Sequence, residues 1–208
     1  MQEENITITG GEVELEGRFV PGEAGGVVVT HPHPLFGGSM SNNVVWTACR
    51  AFQARGFATL RFNFRGVGRS RGAYGGGQEE TADIRAALAY LETRTPEPHY
   101  LAGYSFGAYV AVHALLEGAA FQGAILISPP IAFMELDCLP QAPRVRAIVV
   151  GDQDDLCPLA RLQGMWDKAV GPIMPEIIIL PDADHFYGGR EEALYQVLRH
   201  LSLAPPAR

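Results

Sequence analysis

The chain has 208 residues, 47% apolar and 19% charged, which suits one globular domain over residues 1–208 that buries about 70% of its unfolded surface. A net charge of −7 repels phosphate backbones and anionic lipid, so neither nucleic acid nor a membrane surface is expected as a principal partner. The acidic start Met1-Gln2-Glu3-Glu4-Asn5, with no apolar run near the ~18 residues of a membrane span, argues against a signal peptide or transmembrane helix and makes the cytoplasm the expected location.

In chain order, residues 5–9 and 12–20 alternate apolar and polar positions (Ile6, Ile8, then Val13, Leu15, Phe19), as half-buried strands do, with Gly10-Gly11 as a hairpin turn between them. An antiparallel start is expected. The runs 27–30, 58–62, 100–102, 124–127, 147–150 and 177–180 are then continuously apolar, the pattern of strands covered on both faces. Helical stretches lie between them: one capped by Ser41 and ending before Gly56, then 79–91, 108–116, 159–169 and 191–201. Strands alternating with helices predict an α/β fold with a mainly parallel, twisted sheet, helices on both faces, and functional groups on loops at the carboxyl ends of the strands. Cys49, Cys138 and Cys157 are too widely spaced for a zinc site or a disulfide framework and read as free thiols.

One of those loops reads Gly103-Tyr104-Ser105-Phe106-Gly107, directly after a strand run and directly before a helix of small residues. G-x-S-x-G in this setting is a tight strand-to-helix turn: the serine takes a strained backbone, the glycines prevent collisions, and the hydroxyl stands exposed at the sheet edge. The amides of the following helix face the same point and favour negative charge there. Ser105 is therefore a candidate nucleophile, and Phe106 N–H a candidate oxyanion donor.

A serine hydroxyl needs an imidazole to take its proton and a carboxylate to orient that imidazole. The last strand runs into Pro181-Asp182-Ala183-Asp184-His185, which makes His185 the candidate base; His99 precedes the serine strand, while His113 and His200 belong to helices. The loop Gly151-Asp152-Gln153-Asp154-Asp155-Leu156-Cys157-Pro158 offers three carboxylates, and a Gly-x-x-Asp-x-x-x-Pro spacing selects Asp154, with Asp155 and Asp152 as the main alternatives and Glu135 and Asp137 as lesser ones.

The second oxyanion donor is expected from His31-Pro32-His33-Pro34-Leu35-Phe36-Gly37-Gly38. Its prolines carry no N–H, which leaves His33, Leu35 and Phe36, and an H-x-x-x-G register from His33 to Gly37 selects Leu35. The pair His31-x-His33 lacks the further ligands a metal needs, so no metal site is expected and both histidines should bond nearby backbone or line the pocket. His33, Phe36 and Tyr104 are the expected substrate-facing side chains. Ile131, Ala132, Phe133 and Met134 could form an apolar rim or simply pack.

Together these segments resemble the α/β-hydrolases, in particular the small, lidless, dienelactone-hydrolase-like bacterial members, over roughly residues 12–201. The likeness rests on His33 to Gly38, on Arg61-Phe62-Asn63-Phe64-Arg65-Gly66-Val67-Gly68-Arg69-Ser70, on Gly103 to Gly107, on Gly151 to Pro158 and on Asp184-His185-Phe186. Asn63 stands where the family's Asp-x-Arg-Gly-x-Gly-x-Ser loop has aspartate. The resemblance implies Ser105, Asp154 and His185 as a triad, and a serine hydrolase acting without cofactor on carboxylic esters of small or short-chain acyl groups. Peptidase or acyltransferase chemistry on the same serine, or a silent binding protein on the same fold, are the alternatives. It also implies that the arginine-rich loop is a structural brace, with an anion-binding patch as the alternative reading. Ser128 and Val145 lie only 17 positions apart, too close for a lid, so the site should be open. No residue pattern speaks to an oligomeric state.

Overall fold

The computed structural model describes residues 3–11, 13–167 and 174–203. Eight strands form one sheet: β1 (Glu4–Gly10), β2 (Val13–Val20), β3 (Gly26–Thr30), β4 (Ala58–Phe62), β5 (His99–Tyr104), β6 (Gly123–Ile127), β7 (Val145–Gly151) and β8 (Glu176–Leu180). Their spatial order is β1-β2-β4-β3-β5-β6-β7-β8. β1 and β2 pair antiparallel, as does β2 with β4, and every other neighbouring pair is parallel.

The helices are α1 (Asn43–Gln53), α2 (Glu80–Glu92), α3 (Phe106–Leu116), α4 (Leu159–Gly164) and α5 (Glu191–His200). α1 and α5 cover one face of the sheet, while α2, α3 and α4 cover the other. The central strands are apolar throughout because alternate residues feed two cores: Val28, Leu101 and Ile148 pack with α2 and α3, whereas Val27, Val29, Ala102 and Val149 pack with α1 and α5.

Several boundaries differ from expectation, each for a local reason. Asn42, not Ser41, caps α1, its side chain accepting from Val44 N–H at 2.9 Å. α3 begins at Phe106, two residues early, because Ser105 itself is the half-helical residue at its start. α4 stops at Gly164 instead of 169, and Lys168 and Ala169 lie outside the described residues, as does Glu12 at the start of the second predicted strand. Among the described residues, β8 is an edge strand that pairs only with β7, and it is not covered on both faces, Ile179 being 41% exposed. Between β6 and β7 the chain makes only a 3-10 turn at Leu139–Gln141, so no lid is inserted. Among the described residues, no helix is long and apolar enough to cross a membrane. All three cysteines are free, and burial pushes the Cys49 thiol up to about 12.

Because strands β3, β5, β6, β7 and β8 run parallel, the segments leaving their carboxyl ends emerge along one edge of the sheet. Those segments begin at His31, Ser105, Ser128, Asp152 and Pro181. All the chemistry-bearing loops of the sequence are thereby brought together.

Candidate active site

Ser105 has φ 54° and ψ −118°, a conformation that few non-glycine residues adopt and that is held here from both sides. Its N–H donates to Ile127 C=O at 2.9 Å, and its own C=O accepts from Ala108 N–H at 2.8 Å. The flanking glycines are required by contact with backbone. A Cβ on Gly103 would lie 2.6 Å from Gly107 O, and one on Gly107 would lie 2.9 Å from His31 O.

From this turn the Ser105 Oγ lies 2.9 Å from His185 Nε2. His185 Nδ1 in turn lies 2.9 Å and 3.0 Å from the two carboxylate oxygens of Asp154. All three residues are buried. Asp152 and Asp155, the other aspartates of that loop, are exposed. Asp154 Oδ1 also accepts from Leu156 N–H at 3.0 Å and Cys157 N–H at 2.9 Å, a turn in which an aspartate bonds the amides two and three residues on. Burial by itself would push this carboxyl up. The hydrogen bond and charge of His185, with the Ser128 hydroxyl and the Cys157 amide, outweigh that and hold it below the usual carboxylate range.

Tyr104, expected to face the substrate, supports this chain, as do Ser128 and Tyr187, to which the sequence reading gave no role. Tyr104 OH donates to His185 C=O at 2.9 Å, and the hydroxyls of Ser128 and Tyr187 meet at 2.8 Å beneath it. Ser128 and Tyr187 both have positive φ, 46° and 57°, strain that the packed surroundings sustain. Only the Asp-x-Leu-Cys turn left a signal in sequence; the contact of Ser128 with Tyr187 spans 59 positions.

Gly151 opens the loop that carries Asp154, and a Cβ there would sit 2.0 Å from Ala183 O, in the segment that carries His185. Gly151→Ala therefore has to separate the carboxylate loop from the imidazole loop. We expect a loss of about 2–3 kcal/mol, seen as a Tm lowered by roughly 5–10 °C, together with reduced activity; a Tm within a degree of wild type would show that the two loops move apart freely.

The loop after β3 departs from expectation at the second oxyanion donor. Leu35 N–H donates to His33 Nδ1 at 3.2 Å, and the Leu35 side chain is 67% exposed. Phe36 N–H is likewise engaged, by His33 O at 3.1 Å. Among the described residues, His33 N–H alone of the three candidate amides meets no protein acceptor, and so does Phe106 N–H at the start of α3. The expectation of Leu35 fails because a 3-10 turn, Pro34–Phe36, folds its amide back onto the preceding side chain.

The two histidines of this loop have separate work. His31 is buried; its Nε2 accepts from Phe64 N–H at 3.0 Å, so its Nδ1 carries the proton and donates to Pro32 O at 2.7 Å. Burial lowers its pKa to about 4. A histidine depressed from its ordinary 6.5 stabilises the fold fully above that value, and the contribution disappears as pH falls through 6.5 toward 4. Its size is about 3 kcal/mol. Urea unfolding at pH 7 and pH 4 should show a stability loss smaller by about that amount in His31→Gln, which has no titrating ring; equal losses would clear His31 of this role.

His33 lines the cavity instead. Its Nδ1 accepts from Leu35, so Nε2 bears the proton and faces Tyr74 OH at 3.1 Å. Burial lowers its pKa against the pull of Glu80, which keeps the ring neutral. The remaining histidines lie elsewhere: His99 bonds Thr95, His113 packs against Tyr109 with the rings tilted by 56°, and His200 bonds Gln196 C=O.

A cavity of about 280 Å³ opens over Ser105, lined by residues that include Pro32, His33, Phe36, Tyr104, Phe106, Phe133 and Phe186. Of the expected rim, Phe133 and Met134 line it, and Ile131 is core. A larger groove of about 910 Å³, between the β1–β2 hairpin and α2, shares no described residue with this site.

The loop 61–71 is a brace beneath the site. Arg61, Arg65, Arg69 and Arg71 pair with Glu3, Asp83, Glu16 and Glu14. Asn63 keeps a bracing role without charge, accepting from Met40 N–H at 2.8 Å and donating to Glu16 at 2.9 Å.

A strained serine hydroxyl, an imidazole and an ionised carboxylate joined in series are equipped to attack an acyl carbon. Known proteins share the frame. The family described as serine aminopeptidase, S33 (Hydrolase_4) matches residues 33–176. An α/β serine hydrolase homologue from Coxiella burnetii is 33% identical, with a TM-score of 0.84 over 97% of this chain and 99% of that one. A lidless α/β serine hydrolase from Xanthomonas campestris is 30% identical, with a TM-score of 0.84 over 96% of this chain and 93% of that one. An uncharacterized protein of Rickettsia prowazekii (strain Madrid E) is 30% identical over 198 residues, covering 90% of this chain and 83% of the relative. The chain thus belongs to the Hydrolase_4 (serine aminopeptidase, S33) family and is a serine hydrolase of the lidless α/β-hydrolase type.

Proposed function

We propose that this protein hydrolyses carboxylic esters through an acyl-enzyme on Ser105. The observation that carries this reading is the unbroken series Ser105 Oγ, His185, Asp154, with links of 2.9 Å and 2.9 Å. His185 Nε2 takes the hydroxyl proton as Oγ attacks the carbonyl carbon, and Asp154 stabilises the imidazolium that results. The oxyanion rests on the amides of Phe106 and His33, the two left without protein acceptors. His185 then returns the proton to the leaving alkoxide, and water, deprotonated by the same nitrogen, releases the acid.

Ester is favoured over peptide by the cavity wall. An aminopeptidase has to hold a free α-ammonium, and among the described residues no aspartate or glutamate lines the cavity to pair with it. The substrate partner is accordingly an uncharged ester.

A fluorophosphonate probe should attach covalently to Ser105 Oγ, be located there by peptide mapping, and abolish hydrolysis of p-nitrophenyl acetate in proportion to labelling. Full turnover with Ser105 unlabelled, or labelling confined to another serine, would overturn the reading.

A further inference from the structure

Three large apolar side chains stand exposed around the mouth of the cavity: Phe36 at 73%, Phe133 at 54% and Phe186 at 65%. All three line the cavity itself. They come from three different loops, after β3, after β6 and after His185, so no single local preference explains their meeting. Exposed apolar side chains gathered at one place mark a binding surface. Here the surface is continuous with the nucleophile's own cavity, and the occupant it fits is the substrate.

The shape of the wall narrows the chemistry. Phe36 and Phe133 meet at 5.8 Å with their planes 68° apart, and His33 joins both rings at 4.8 Å and 6.1 Å. Across the mouth, Phe186 stands edge-on to His185 at 5.5 Å. Rings tilted in this way present both faces and edges, the arrangement in which a further flat ring packs well. The cavity, at about 280 Å³, approaches the ~300 Å³ at which sites for drug-sized ligands begin. It far exceeds the ~30 Å³ share of one water, so an acetyl group would leave most of it wet.

The wall, as formed by the described residues, also offers no charge partner. Among the described residues, no lysine, arginine, aspartate or glutamate lines the cavity, and the four arginines of the neighbouring loop are each paired with a carboxylate outside it. A carboxylate on the acyl group would lose its water and gain no cation.

Resting on the ester-hydrolase reading above, we infer that the preferred acyl group is bulky, uncharged and aryl-bearing, of phenylalkanoyl size, and is seated against Phe36, Phe133 and Phe186. The short-acyl expectation gives way, because an open mouth with an aromatic wall rewards apolar area that acetyl does not have.

The experiment compares three p-nitrophenyl esters that share one leaving group: acetate, 3-phenylpropanoate and the monoester of succinate. We expect kcat/KM for phenylpropanoate to exceed that for acetate and for the succinate monoester by tenfold or more. Phe133→Ala and, separately, Phe36→Ala should each cut the phenylpropanoate-to-acetate ratio by at least fivefold, with melting temperatures near wild type since both side chains are largely exposed. Acetate turned over as well as phenylpropanoate, a preference for the succinate monoester, or ratios unmoved in both variants would overturn the inference while leaving the ester-hydrolase reading intact. So would a dimer, seen by analytical ultracentrifugation at assay concentration, that buries the aromatic mouth in an enzyme with no acyl preference. No turnover of any of the three esters would instead remove the ester-hydrolase reading, and this inference with it.

Discussion

Asp154→Asn should lower kcat by about 10⁴-fold while the protein keeps its fold. In the native chain Asp154 Oδ1 holds the Leu156 and Cys157 amides, and both carboxylate oxygens face His185 Nδ1. An asparagine can keep its oxygen on those two amides, so the turn survives. Its NH₂ then faces Nδ1 and turns that nitrogen into an acceptor. The ring proton has to move to Nε2, which now donates to Ser105 Oγ instead of taking its proton. KM should change little because the side chain does not line the cavity. Stopped assays on variant and wild type, with melting curves to show intact folding, provide the check. Loss of less than tenfold would mean that another carboxylate orients His185.

The choice of His33 as second oxyanion donor makes the next largest prediction. A backbone N–H is removed by proline, and His33 already has φ −59°, within proline's own range. His33→Pro loses both the ring and the amide hydrogen, whereas His33→Ala loses the ring alone. Dividing one kcat by the other isolates the N–H. We expect His33→Pro to be slower than His33→Ala by about 10²- to 10³-fold, with similar Tm values. If the two variants were equally active, the donor would have to be sought elsewhere in the loop. A Leu35 role would then require the 3-10 turn to open and release its amide from His33 Nδ1.

Much of the frame was legible along the chain. Unbroken apolar runs separated by amphipathic stretches are what two-faced burial in a parallel sheet demands, and strands β3 to β7 follow them. The serine turn was legible because its backbone leaves so little room that glycine is needed at Gly103 and Gly107, a requirement written into neighbouring positions. His185 and Asp154 could be nominated by their places after β8 and β7, since strand order fixes which loops share an edge. β8 misled because a run of isoleucines reads alike whether one face is covered or two.

The sequence by itself therefore determined the class of fold, the order of its elements and the short segments able to bear chemistry, all of which depend on neighbours a few residues apart. The tertiary structure alone decided which backbone amides remained free, which carboxylate met His185, and which aromatic rings from three loops gathered at the cavity mouth. Those outcomes depend on distances between segments as many as 150 positions apart, and on where each hydrogen bond has already been used. Local preferences carry no record of either.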